Sequence, residues 1–109
     1  MNVQFKKGVL ELVVLLIINQ NDEYGYSLVK KISGRMDITE GTVYPILRRL
    51  VNEEYVTTYL QASTDGPSRK YYSITSLGKC KLAALKSEWK EFTDIINFFI
   101  KENEQNEQG

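Results

Sequence analysis

Apolar positions along the chain fall into four groups at helical spacing and one stretch that alternates. The first group, Val9 to Ile18, is apolar nearly all round and interrupted only by Glu11. Its length favours an enclosed helix over a buried strand. One small domain hardly supplies layers on both sides of such a helix, so a partner chain is expected to help cover it. After the polar break NQNDEYG, Leu28, Val29 and Ile32 share one face of a short helix over Gly25 to Met36, fraying at Gly34. Thr39 then caps a third helix that runs to about Glu53, with Glu40 in its first turn and Val43, Ile46, Leu47 and Leu50 on its core face.

From Tyr55 the period changes to two. YVTTYLQ and RKYYSIT are rich in β-branched and aromatic residues, and ASTDGPS separates them, so the pattern predicts a hairpin with Asp65-Gly66-Pro67 as its turn. Thr75 is placed to cap a last helix of about 25 residues. Within it Leu82, Leu85, Trp89, Phe92, Ile96 and Phe99 are spaced as an a/d seam, the pattern of helix-on-helix packing. Ile95, Phe98 and Ile100 widen the stripe beyond what one domain with a hairpin on its far side covers, which predicts dimerisation through the first and last helices. ENEQNEQG reads as a solvated tail. The fold class is therefore mainly α with a β-hairpin wing. A winged helix-turn-helix over residues 1–75 is followed by a dimerisation helix over 76–102 and a disordered tail over 103–109.

In that layout the third helix enters the major groove and the hairpin flanks it on the backbone. Thr42, Tyr44, Arg48 and Arg49 occupy the outer face of that helix, and Arg69 and Lys70 open the second hairpin strand, where a wing would meet phosphates. Pro45 interrupts the same helix. Either it shapes the docking end of a helix that starts at Thr39, with Gly41 easing the crowding of its ring, or it marks a later start near Tyr44.

Composition narrows the function classes more than it selects one. Fourteen basic and fourteen acidic residues cancel, so only their distribution speaks for a nucleic-acid partner. There is no His and only Cys80, which removes an intramolecular disulfide, a Cys/His metal site and any His-dependent catalysis. No phosphate loop, nucleophile elbow or metal cluster is present either, so no enzyme, catalytic residue or cofactor is expected. Val9 to Ile18 is about half the length of a membrane span, and a cytoplasmic protein without a membrane partner is expected.

Three blocks then fit a known pattern together: Tyr24 to Leu28, Glu40 to Leu50, and Gly66 to Thr75. Across residues 9–80 the chain resembles PadR-type transcriptional regulators of the shorter branch, with a single C-terminal helix. The resemblance implies a homodimeric bacterial repressor that binds a palindromic operator in double-stranded DNA, with Thr42, Tyr44, Arg48, Arg49, Arg69 and Lys70 facing the duplex. It also implies a planar aromatic, drug-like or phenolic effector at the dimer interface, stacked on Trp89 with Phe92 as a wall. The sequence departs from the family after the third helix, where Glu53-Glu54-Tyr55 replaces the usual Gly. The rival reading is a winged-helix protein adaptor without specific DNA binding.

Overall fold

The computed structural model describes residues 3–108; Met1, Asn2 and Gly109 lie outside the described residues. In chain order the elements are α1 (Val3–Gln20), β1 (Glu23–Tyr24), α2 (Gly25–Ser33), α3 (Glu40–Asn52), β2 (Val56–Ser63), β3 (Gly66–Ile74) and α4 (Ser76–Gln108). The three strands form one antiparallel sheet in the order β1-β3-β2.

α1 is the axis of the core. Leu10, Val14, Leu15 and Ile18 are buried, and α2, α3, β3 and α4 all pack against the helix. Its all-round apolar character is therefore met mostly by its own chain, not by a partner as the pattern led us to expect. The exposed exception is Leu16. α2 contributes Leu28, Val29 and Ile32, and α3 contributes Val43, Ile46, Leu47 and Leu50, the faces their periodicity predicts. α2 stops at Ser33, three residues earlier than expected, and Arg35 and Met36 turn back onto the carbonyl of Ile32.

The end of α3 shows what replaces the missing glycine. Glu54 adopts φ 66°, the only positive φ among the described residues other than glycine. Its N–H donates to the carbonyl of Val51, and the N–H of Tyr55 donates to that of Leu50, the paired bonds of a Schellman cap. A glutamate thus holds a left-handed position that costs a β-carbon about 1–2 kcal/mol. Glu54→Gly is expected to raise stability by ~0.5–1 kcal/mol, the strain relieved less the extra entropy of an unfolded glycine. A thermal midpoint unchanged or lowered would show that the cap carries no such strain.

The turn falls at Thr64 and Asp65, so Gly66 and Pro67 begin β3 rather than forming the turn. β2 and β3 pair from Val56↔Ile74 outward, with an irregularity between Gln61 and Ser63 near the tip. β1 was not anticipated. Its two residues pair with Tyr72 and Tyr71, and the buried Glu23 carboxylate is held by the Lys31 ammonium.

Thr75 caps α4 as expected: its Oγ1 accepts the N–H of Gly78 at 2.9 Å. The same hydroxyl donates to the carbonyl of Glu54 at 2.7 Å, and the Thr75 N–H donates to that of Tyr55 at 3.1 Å. α4 is 33 residues long, so the expected tail is helical over 103–108. Glutamate and glutamine are strong helix formers, and no glycine or proline interrupts the segment before Gly109. At about 1.5 Å per residue α4 spans ~50 Å, and it gives the molecule its extents of 64 × 27 × 21 Å.

Candidate nucleic-acid interface

The buried face of α3 fixes what its outer face can reach. Glu40, Gly41, Pro45, Arg48, Arg49 and Asn52 are exposed, while Thr42 and Tyr44 are half-buried. α3 begins at Glu40, with Thr39 extended as its N-cap, so Pro45 lies inside the helix and does not mark its start. The Thr39 side chain makes no cap bond. A β-carbon at Gly41 would meet nothing closer than Thr39 Oγ1 at 3.6 Å, so the glycine does not relieve the proline ring through missing bulk. Its effect is to leave exposed backbone at the leading end of the helix, which permits close approach of a ligand.

Arg48 and Asn52, one helical turn apart, form one wall of a small cleft with Val51; Lys70 and Tyr72 of β3 form the other. Lys70 Nζ lies 5.8 Å from the centre of the Tyr72 ring. Burial pushes the Tyr72 phenol above its usual pKa, the Tyr44 phenol adds to that, and the Arg48 guanidinium opposes it. α3 and the wing thus meet at two cations and an amide. Asn52 was missed in the sequence, although its position four residues after Arg48 puts it on the same face.

The other expected residues are separated by geometry. Arg49 turns toward α1 and pairs with Glu11 at 3.1 Å. Tyr44 packs inward at the start of α2, where a β-carbon on Gly25 would come within 3.5 Å of its ring and 3.2 Å of Tyr72. Burial raises its pKa, with the neighbouring Glu40 carboxylate and Tyr24 phenol adding to the effect. Strand alternation sends Arg69 to the opposite face of the wing from Lys70. There its guanidinium sits 5.1 Å from the Tyr24 ring, and Tyr71 stacks on Tyr59 at 5.6 Å. Tyr59 in turn donates its hydroxyl to Asp22 at 2.8 Å.

Over residues 14–84 the sequence matches the Transcriptional regulator PadR-like family. The chain belongs to that family. This PadR-like regulator is 38% identical to the PadR-like transcriptional regulator of Bacillus cereus strain ATCC 14579, and the two structures superpose with a TM-score of 0.81 over 89% of this chain and 96% of that one. The smu.1704 protein of Streptococcus mutans UA159 gives 34% identity and a TM-score of 0.82 over 87% and 89%. An uncharacterised protein of Lysinibacillus sphaericus is 39% identical over 99 residues, which span 87% of this chain and 91% of that protein. The winged-helix fold with its long last helix is therefore that of a DNA-binding transcriptional regulator. No described helix is long and apolar enough to cross a membrane.

The expected dimer seam divides along α4. Leu82 is 4% exposed within its own core, and Leu85 and Trp89 pack on the same core, so Leu82 has no surface left to offer a partner. Phe92, Ile96 and Phe99 are exposed, as are Ile95, Phe98 and Ile100. Trp89 and Phe92 straddle the division with ring centres 5.6 Å apart.

Proposed function

We propose that this PadR-like regulator is a repressor that binds a palindromic operator as a homodimer. The observation that carries the reading is the Arg48–Asn52–Lys70 cleft, where the outer face of α3 and the wing converge on cationic groups suited to phosphate. In this reading Thr42, Arg48 and Lys70 contact the duplex and Arg69 meets the backbone from the other face of the wing. Arg49 and Tyr44 orient α3 from behind. Two α3 helices would enter successive major-groove faces about 34 Å apart.

Fluorescence anisotropy with a labelled duplex from upstream of the protein's own gene, against a shuffled duplex at two salt concentrations, tests this. Selective binding that weakens steeply with salt is expected. Should neither that duplex nor any duplex recovered from genomic fragments bind selectively, the reading fails and an adaptor remains.

The exposed apolar half of α4 supports dimerisation, because six large apolar side chains on one helix form a patch that isolated domains seldom leave to water. Phe99→Asp should convert the dimer to a monomer in light scattering while leaving the winged helix folded. A variant that stays fully dimeric would place the interface elsewhere. The same reading puts an effector, a planar aromatic compound, beside Trp89 and Phe92. Titration with such compounds while following Trp89 emission would remove that part if no compound gave a saturable change.

A further inference from the structure

Leu60 is 71% exposed, and no other large apolar side chain among the described residues is more so. It stands on β2 directly opposite Lys70. Alternation along the strands puts it on the face of Val56, Lys70 and Tyr72, which is the face turned toward α3. Val56 and Tyr72 fill the core at the base of the wing, whereas Leu60 lies beyond the core's edge with nothing of its own chain to cover it. Strand preference does not require a leucine there, since Thr57 and Thr58 meet it one turn of the pleat earlier with polar groups. An aliphatic side chain beside Lys70, on the face of the wing from which that lysine enters the cationic cleft, faces what the lysine binds.

We propose that Leu60 is the apolar contact of the wing with DNA, packing against deoxyribose edges and base walls of the minor groove. The inference rests on the DNA-binding reading above. Lys70 and Arg48 supply attraction that is blind to sequence, whereas an apolar probe senses how readily a particular step widens or unstacks. Leu60 is thus a specificity-determining residue of the wing, and its contribution does not depend on salt.

The test uses the full chain and the duplex that the parent protein selects from fragmented genomic DNA, beside a shuffled duplex. Leu60→Ser should lower affinity for the selected duplex by ~5- to 20-fold, as expected for part of a leucine withdrawn from water. Binding to the shuffled duplex, the salt slope and the thermal midpoint should not change, and Leu60→Met should retain most of the selectivity. Unchanged selectivity in Leu60→Ser overturns the proposal, as does an equal loss on both duplexes with a shallower slope. A changed oligomeric state with unaltered DNA affinity also overturns it, by assigning Leu60 to a protein contact. A parent protein that selects no duplex removes the DNA-binding reading itself, an outcome distinct from failure of Leu60 alone.

Discussion

Gly78→Ala will cost about 3 kcal/mol or more, a large share of the stability of so small a protein. A β-carbon at this position would lie 2.0 Å from the carbonyl oxygen of Tyr55 and 2.8 Å from Ile74 Cγ1. The first of these is backbone and cannot rotate away, so either the first turn of α4 lifts off or the entry to β2 is displaced. Both movements break the ties of Thr75 to Glu54 and Tyr55. The informative control is Gly8→Ala in α1, where a β-carbon would meet nothing within 4 Å. There the higher helix propensity of alanine should stabilise the protein by up to ~1 kcal/mol. Urea titration of the two variants should therefore move in opposite directions. A Gly78→Ala midpoint close to that of the parent would mean that α4 does not sit as tightly on the Tyr55 carbonyl as the structure shows.

The largest expected effect on DNA binding comes from Arg48→Ala combined with Lys70→Ala. The two cations share one cleft and would each occur twice in the proposed dimer, so the double variant would remove about four of the proposed phosphate contacts. Affinity for the duplex the parent protein selects should fall by ~100-fold or more at moderate salt, with the slope of log affinity against log salt shallower by about 3–4 units. Arg49→Ala, although its neighbour in sequence, should change affinity only a few-fold, because its guanidinium is engaged by Glu11 on α1. Its stability cost should also be small, since the ion pair is half-exposed on the arginine side and such pairs contribute at most ~1 kcal/mol. An Arg49→Ala loss exceeding that of Arg48→Ala would reverse the assignment of the two arginines.

That pair of arginines marks how far the sequence could be followed. Periodicity placed Val43, Ile46, Leu47 and Leu50 inward and so identified the outer face of α3, but adjacent residues on a helix point about 100° apart. Which of the two meets the wing and which meets a carboxylate 38 positions away is decided by packing, and no local pattern contains it. β1 was illegible for a related reason. Two residues have no period, and Glu23 is in the sheet because β3 passes beside it. The seam from Leu82 to Phe99 reads as one stripe in the sequence, but a repeat does not say whose surface answers it. The first half packs on α1 of the same chain and the second projects from the core. The cap at Glu54 was invisible because a glutamate does not announce a left-handed backbone.

The way α4 is joined to the domain has a mechanical consequence. Thr75 links the C-terminal cap of α3, the root of β2 and the first turn of α4 through four hydrogen bonds, with no flexible linker between them. The long helix and the winged domain consequently turn as one body, a crank with an arm of ~50 Å. A tilt of about 5° at one end displaces the other by ~4 Å, which exceeds the ~3.4 Å rise of one base pair. In the dimer proposed above, the angle at which two such arms are clasped would set the distance between their far ends, so a small slip in the grip would shift both heads off their step on the track.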